Sequence, residues 1–181
     1  MAVVQISRIQ VRRGQKNVTG MPQLASGEIT YIRNAVKTTV DAYDGTVTLY
    51  QWDVQDPVLK TWMKAFPKTV KPKSAISQGL LEHIRYPEDM FRVQRDILSS
   101  YHVKNAAAFY GGQDFWRVPR DPSTFGSNAG AQPPYYMTLQ MPGAKTSSFS
   151  LTTPFVPRGG RENLSAFASV NSNAGADYGK I

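Results

Sequence analysis

The sequence predicts an α+β fold, in which an antiparallel sheet accompanies a central block of about three helices and a short N-terminal β and loop extension. Three observations support this expectation. Strand-like runs occur near the start of the chain, amphipathic helical patterns fill its middle, and strand-like runs return near its end. This order is typical of α+β folds, whereas a wound parallel sheet alternates strands and helices regularly.

The first elements follow from alternation and from turn residues. Residues 3–13 predict a strand, and residues 14–27 predict an extended loop because they contain three glycines. Strands over residues 36–43 and 46–52 are separated by Asp44-Gly45 alone, which predicts a two-residue hairpin turn with positive φ at both positions. In this register Val47 and Leu49 share one face, and the other face carries Thr48, Tyr50 and Trp52.

Three helices and a short helical turn follow. Asp56 is placed to cap a helix that begins at Pro57, and Ser77 marks the start of a second helix. A third begins at Pro87, and Asn105 precedes a short AAAFY turn. The residues predicted to be buried are Val58, Leu59, Trp62, Met63 and Phe66 in the first helix, Leu80, Leu81 and Ile84 in the second, and Met90, Phe91, Ile97, Leu98 and Tyr101 in the third.

Strand patterns return in the last third of the chain. Residues 117–134 predict a long surface loop. Strands are predicted at residues 135–141 and 148–156, and a turn at Pro142-Gly143 joins them. Residues 163–170 fit either a strand or a short helix.

Composition and charge exclude several classes of function. The chain of 181 residues has no cysteine and only two histidines, so we expect no thiolate chemistry, no metal site and no cofactor. The formal net charge of +8 is scattered, which favours weak attraction to anionic phospholipid or cell-wall polymer over specific nucleic-acid binding. The sequence has no transmembrane segment and no signal-peptide pattern, so we expect the chain as given to be soluble.

The residues from Ile29 to Ile181 carry several distinctive runs in a fixed order: RNAVKTTVDAYDGTVTLY, HIRYPEDMFRVQRDIL, YHV, FYGGQDFWRVP, QPPYYMTLQMPG, FSLTTPFVPRG and RENLSAF. These runs resemble uncharacterised protein family 0182, large membrane proteins of actinobacteria and cyanobacteria. The resemblance implies an internal fragment of the extracytoplasmic part that follows a bundle of membrane helices. It implies no reaction, because the family has no established activity.

The first 28 residues carry a different signal. ISRIQVRRGQKN followed by GMPQLASGE is similar to the N-terminal segment of phage tail-fibre and receptor-binding proteins. That resemblance implies attachment or oligomerisation through residues 1–28. We therefore interpret Gly27-Glu28-Ile29 as a seam between two regions, residues 1–28 and 29–181, and its natural or artificial origin is open.

Two polar groups are candidates for chemistry. Asp41, Asp44, Asp53 and Asp56 would form a calcium site if they gathered at one end of the hairpin, but each has a local role and we expect no metal there. The second group consists of His83, Arg85, Glu88 and Asp89. His83 fits a general base in a hydrolase or transferase, but we favour a charge network between two helices, because no nucleophile or anion hole accompanies it.

Aromatic residues are the remaining resource for binding. Aromatics near strand ends stack on sugars or form protein-binding patches, although they also fit a core. The candidate binding surface consists of Trp116, Tyr135, Tyr136, Tyr50 and Trp52.

The expected function is that of a non-enzymatic structural or binding module, with no catalytic residue. As part of a larger protein on the extracytoplasmic face of a bacterial membrane, its partner would be the remaining membrane protein or an envelope polymer. The alternative is a virion protein that binds phage tail components through residues 1–28. A hydrolase or transferase that uses His83 is the third hypothesis.

Overall fold

The computed structural model describes residues 2–11, 29–124 and 130–181, and the α+β class is confirmed. The predicted loop over residues 14–27 lies outside the described residues. A short 3₁₀ helix spans Lys73–Ala75. In chain order the strands and α-helices are β1 (Ala2–Val11), β2 (Ile29–Val40), β3 (Val47–Gln51), α1 (Pro57–Ala65), β4 (Val70–Lys71), α2 (Gln78–His83), α3 (Glu88–Tyr101), α4 (Ala106–Tyr110), β5 (Trp116–Arg117), β6 (Tyr135–Leu139), β7 (Ser148–Pro157) and β8 (Ala166–Asn171).

The first sheet has the strand order β1-β2-β3-β4. The pairs β1–β2 and β2–β3 are antiparallel, whereas β4 runs parallel to β3. Parallel neighbours need a crossover connection, and the segment that contains α1 supplies it. Helix α1 is therefore tied at both ends to the same pair of strands.

The β2–β3 hairpin forms, but its loop is longer than the predicted two residues, because pairing stops at Val40 and resumes at Val47. Within the loop, Asp41 Oδ1 accepts a hydrogen bond from the Tyr43 N–H (2.8 Å), and the Gly45 N–H donates to the Asp41 carbonyl (3.0 Å). These local bonds replace the last pairs of the ladder. Of the predicted turn pair, Gly45 has a positive φ of 74° and Asp44 does not.

The second sheet is built around β7. Residues 148–152 of β7 pair with β6, residues 150–155 pair with β8, and residues 156–157 pair with β5, all antiparallel. Because β6 and β8 pair with the same part of β7, they lie on its two opposite edges. The open alternative for residues 163–170 is thereby decided in favour of a strand.

The helix starts follow from side-chain caps, as predicted. Asp56, Ser77 and Asn105 each accept a hydrogen bond from the backbone N–H three residues further on, at 2.6, 3.3 and 3.1 Å. Each cap satisfies one of the N–H groups that a helix start leaves without an intrahelical partner. These local interactions fix where α1, α2 and α4 begin.

The predicted buried stripes are only partly right. Leu59, Ile84 and Phe91 are buried, but α3 also buries Arg95, whose Nη1 donates to the Gln132 carbonyl at 2.9 Å. The loop before β6 thus covers a polar position of α3 that the apolar periodicity did not include. The residues that were predicted to be buried and are exposed are Trp62, Phe66, Ile97 and Tyr101.

The core consists of two clusters that meet at Tyr178. This residue lies in the segment after β8, which is held by a hydrogen bond from the Asn171 N–H to the Lys180 carbonyl and one from the Gly179 N–H to the Asn171 carbonyl, both 2.9 Å. Tyr178 packs against both clusters and so joins the two sheets. The larger cluster contains Tyr86, Phe91, Leu151, Phe155, Ala168 and Val170, and the smaller one contains Tyr50, Ile76 and Ile84.

Replacement of Gly179 should test how tightly this segment is held. Gly179 has a φ of 80°, and an added Cβ would lie 3.0 Å from the ring of Tyr86. Gly179→Ala should therefore lower the free energy of unfolding by about 1–3 kcal/mol in urea titrations. Gly175→Ala is the matched control, because nothing lies within 4 Å of its added Cβ and its φ is not positive. Equal stability of the two variants would contradict this packing.

Candidate functional site

A bulge in β2 shapes the contact between the sheets. Ile6 pairs with Val36 and Arg8 pairs with Arg33, so β2 has one residue more than β1 over this interval. In a regular strand, residues three apart point to opposite faces, but a bulge re-aims the side chains that follow it. The side chains of Asn34 and Lys37 therefore both reach the hydroxyl of Tyr178.

The hydroxyl of Tyr178 makes three hydrogen bonds to distant parts of the chain. It accepts hydrogen bonds from Asn34 Nδ2 and Lys37 Nζ, each at 3.0 Å, and donates to the Arg85 carbonyl at 3.0 Å. Lys37 Nζ also donates to the Arg85 carbonyl at 3.3 Å. We call Asn34, Lys37, Tyr178 and the Arg85 carbonyl the Tyr178 junction. It connects β2, the α2–α3 linker and the segment after β8.

Burial dominates the electrostatics of the Tyr178 junction. Lys37 is only 1% exposed, and burial lowers the pKa of its amine to about 7. Its Nζ lies 5.3 Å from the centre of the Trp52 ring and 5.5 Å from that of Tyr178. Burial also raises the pKa of the Tyr178 hydroxyl, although the bond from Asn34 acts in the opposite direction. A neutral amine is a potential nucleophile, but this one is enclosed and hydrogen-bonded between elements.

Two of the predicted binding residues lie beside this junction. Tyr50 is opposite Lys37 in the β2–β3 register and is buried in the smaller core cluster. Trp52 is half-buried, meets the Tyr178 ring edge-on at 5.0 Å, and has Lys73 Nζ at 4.1 Å from its ring centre. The structure therefore places both residues in the contact between the sheets.

Trp116 lies away from the junction, in β5, next to the C-terminal end of α3. It is half-buried and stacks on the ring of His102, with 3.4 Å between ring centres. His102 Nδ1 is 2.8 Å from the Leu98 carbonyl and Nε2 is 3.0 Å from the Asp114 carbonyl. This stack fastens β5 to the end of α3.

Tyr135 and Tyr136 are neighbours that point to opposite faces of the second sheet. Tyr136 stacks on Phe149 at 5.4 Å and donates a hydrogen bond to the Tyr86 carbonyl at 2.6 Å. Burial raises the pKa of Tyr136 to about 12. Tyr135 points away from the core, towards the outer face.

The outer face of the second sheet carries an apolar patch. Tyr135 is 42% exposed, Met137 is 47% exposed and Phe167 is 43% exposed. Tyr135 and Met137 pair with Thr152 and Ser150 of β7, so they share the face opposite Leu151 and Phe155. Phe167 pairs with Pro154 on that same face. We call Tyr135, Met137 and Phe167 the open face.

The predicted polar cluster divides into separate local contacts. His83 Nδ1 is 2.7 Å from the carbonyl of Gly79 in its own helix. Arg85 lies over the Phe149 ring at 4.8 Å, and Glu88 forms an ion pair with Arg92 one turn along α3. Burial raises the pKa of Asp89, although Arg92 lowers it and Glu88 raises it further. The structure thus gives His83, Arg85 and Glu88 structural partners.

The four aspartates of the hairpin region also make local contacts. Asp41 and Asp44 accept backbone N–H groups inside the β2–β3 loop. Asp53 forms an ion pair with Arg33, and the buried carboxylate of Asp56 lies 3.8 Å from the same guanidinium. These contacts are those of turns, an ion pair and a helix cap.

Sequence reasoning missed the Tyr178 junction. The available signal was Lys37, a cation on the same strand face as Ala35 and Thr39 and opposite Tyr50. An inward-facing lysine in an alternating strand indicates a buried polar contact. Tyr178, by contrast, offered no local pattern, because its partners are distant in the sequence.

The amine of Lys37 should make stability depend on pH. The unfolded chain keeps the lysine proton up to about pH 10.4, whereas the folded chain releases it near pH 7. Between these values the unfolded state binds more protons, so the free energy of unfolding should rise with pH, by a few kcal/mol at most. Below pH 7 both states are protonated and the cost of the buried charge is fully present.

Urea titrations between pH 7 and pH 10 check this rise. The raised pKa values of the buried tyrosines affect stability only above about pH 10. Lys37→Met should abolish the rise, because the variant has no amine to titrate at this position. Lys104→Met, at an exposed lysine, is the control and should keep the rise. A rise of equal size in Lys37→Met and in the unchanged chain would contradict the assignment.

Comparison with known proteins places these features in a family. The sequence model of the Uncharacterised protein family UPF0182 matches residues 10–181. A UPF0182 protein of Thermobifida fusca is 56% identical over 167 residues, which cover 92% of this chain and 16% of that protein. One of Streptomyces coelicolor is 56% identical over 85% of this chain, and one of Leifsonia xyli is 52% identical over 87%. No solved structure matches the chain.

The predicted boundary between residues 1–28 and 29–181 stays a prediction, and two observations bear on the residues around it. The family match begins upstream of Ile29, and β1 of the first predicted region pairs with β2 of the second. The similarity of residues 1–28 to tail-fibre proteins stays a prediction, and residues 12–28 lie outside the described residues.

The chain spans about one sixth of the length of these relatives. Within the described ranges, no helix combines the length and apolar character that crossing a bilayer requires. The family match covers most of the chain, and several relatives are more than 50% identical to it in sequence over most of its length. The chain therefore belongs to the uncharacterised protein family UPF0182.

Proposed function

We propose that this chain is a non-catalytic contact module, through which a larger membrane-associated bacterial protein binds another part of itself on the extracytoplasmic side. The observation that carries the proposal is the open face of the second sheet. Antiparallel sheets often leave one face to solvent, but that face is then polar. Here it presents Tyr135, Met137 and Phe167 instead.

The open face has the character of an unfinished interface. Ser150 and Thr152 lie between its members and are themselves almost fully buried. The aromatic and thioether side chains therefore screen the polar groups of β7 from water. Aromatic residues and methionine are enriched in the centres of protein interfaces, where charged residues are depleted. An exposed apolar patch of this kind indicates a contact site.

The rest of the polypeptide is the occupant that we propose. The described chain corresponds to about one sixth of the length of its relatives, so most of such a protein is available to cover this face. The extracytoplasmic location follows from the resemblance of residues 29–181 to family 0182. An envelope polymer or a separate protein would be a different occupant.

The proposal is non-catalytic because the candidate reactive groups have structural partners. His83 contacts a carbonyl of its own helix, and Glu88 pairs with Arg92. The two ring nitrogens of His102 face the carbonyls of Leu98 and Asp114. Lys37 is held inside the Tyr178 junction. These contacts position secondary structure and do not converge on one site.

A cross-linking experiment on the full-length protein tests the occupant. A photoreactive benzoylphenylalanine replaces Met137, or Lys104 as an exposed control outside the open face. The Met137 position should give intramolecular cross-links to segments outside this chain, and Lys104 should give few. Equal yields at the two positions, or cross-links from Met137 only to a separate protein or polymer, would overturn the proposal.

The isolated chain should self-associate through the open face. Met137→Lys combined with Phe167→Lys should lower the association measured by analytical ultracentrifugation, because it places charge on the apolar patch. The free energy of unfolding should fall by about 1–2 kcal/mol, because each side chain is about half buried. By comparison, Leu151→Ala in the core should cost about 2–5 kcal/mol and leave association of the folded chain unchanged. Unaltered association in the double variant would contradict this expectation.

A further inference from the structure

Strand β6 forms an open edge of the second sheet. It pairs with β7 along one side, and no described backbone group outside β7 forms a hydrogen bond with it. Its five residues keep a continuous register, from Tyr135 opposite Thr152 to Leu139 opposite Ser148. The other long side of β6 is therefore a row of peptide groups that no described strand pairs with.

A hydrogen bond shows which peptide groups of β6 point away from β7. Thr152 Oγ1 donates to the Tyr135 carbonyl at 2.9 Å, so this carbonyl faces β7. Peptide groups alternate between the two edges of a strand, so the next residue and the third residue face the other way. We call the outward N–H and C=O groups of Tyr136 and Thr138 the β6 edge.

The backbone of β7 agrees with this assignment. The Ser165 N–H donates to the Phe155 carbonyl at 2.8 Å, and the Ser172 N–H donates to the Phe149 carbonyl at 2.9 Å. The odd-numbered residues of β7 therefore point their peptide groups towards β8. Thr152, an even-numbered residue, points towards β6 and faces Tyr135, as the bond from its side chain requires.

The β6 edge lacks the features that usually protect an open strand edge. Proteins place charged side chains, proline or a bulge on such edges, or cover them with another segment. Residues 135–139 read YYMTL, which contains no charge and no proline, and the pairing with β7 has no register shift. Four of the five residues are exposed, Leu139 being the exception. An uncharged edge of this kind is suited to pairing with another strand.

The other described edges are short, charged, irregular or covered. The edge strands β4 and β5 have two residues each and include Lys71 and Arg117. Strand β1 contains Arg8 and has two register shifts against β2. At the end of β8, the outward N–H and C=O groups of Asn171 both bond to the segment that follows it. Among the described strands, β6 therefore has the edge best suited to a partner.

We propose that a strand from the rest of the larger polypeptide pairs with the β6 edge and extends the second sheet. The inference rests on the proposed function, because Tyr135 and Met137 of the open face alternate with the residues of the β6 edge along one strand. A segment that covers the open face therefore passes beside this edge. An extended segment is the partner whose N–H and C=O groups match those of an open strand.

A second copy of this chain is a poorer fit than the rest of the polypeptide. Antiparallel pairing of β6 in two copies follows a two-fold axis. This pairing would place the two open faces side by side on one joint sheet and leave both of them uncovered. The chain spans about one sixth of the length of its relatives, so a protein of that length has other segments that could supply the strand.

Hydrogen exchange with residue resolution tests the proposal. In the isolated chain, at a concentration at which it sediments as a monomer, the amides of Tyr136 and Thr138 should exchange fast. In the full-length protein the same two amides should exchange at least about tenfold more slowly, because a partner strand accepts their hydrogen bonds. The amide of Met137 faces β7, so it is the internal control and should be protected in both.

A proline substitution makes the same test from the other direction. Thr138→Pro removes one outward N–H and leaves the bonds to β7 in place, because edge strands tolerate proline where the N–H faces away from the sheet. In the full-length protein it should speed exchange of the Tyr136 amide at least about tenfold. Thr138→Val keeps the N–H and is the matched control, which should leave that rate unchanged. Protection of the Leu151 amide shows that each variant is folded.

Two outcomes would overturn the inference. One is equally fast exchange of the Tyr136 and Thr138 amides in the isolated chain and in the full-length protein. If position 137 still cross-links to other segments, only the strand pairing fails, whereas loss of those cross-links as well would also overturn the proposed function. The other outcome is protection that appears in the isolated chain and grows with its concentration, which would identify a second copy as the occupant.

Discussion

The three hydrogen bonds at the hydroxyl of Tyr178 are the constraint on which the two-sheet arrangement depends. The hydroxyl oxygen accepts hydrogen bonds from Asn34 and Lys37, and the hydroxyl donates one to the Arg85 carbonyl. Its hydrogen-bonding capacity is therefore fully used. The ring meanwhile packs against both core clusters. A single side chain thus fixes the distance between the sheets and the path of the α2–α3 linker.

This arrangement trades stability for a defined geometry. A buried amine costs free energy, and a well-packed apolar side chain is often at least as stable in its place. A network of directional bonds, however, accepts fewer alternative packings than an apolar contact does. The lowered pKa of Lys37 reflects the cost of burying its charge. The junction holds β2, the α2–α3 linker and the segment after β8 in one arrangement.

The sequence predicted what depends on neighbours in the chain. The helix starts could be predicted because each cap bonds to an N–H only three residues away, as Asp56, Ser77 and Asn105 do. The Tyr178 junction was not, because its bonds join distant segments and the β2 bulge overrides the alternation of the strand. Periodicity also identified Trp62 as apolar without indicating that it faces solvent. Of the three residues of the open face, the sequence analysis predicted Tyr135 as a binding residue and did not predict Met137 or Phe167.

The position of Tyr178 in the chain has a consequence for synthesis on the ribosome. Its partner Asn34 precedes it by 144 residues, so the first sheet emerges long before the phenol that caps its polar interior. Until then Asn34 and Lys37 have only water and the nascent chain as partners, and a domain whose closing contact arrives late exposes unfinished surface while it waits. Slow translation of the last strands would prolong that interval and increase the need for a chaperone.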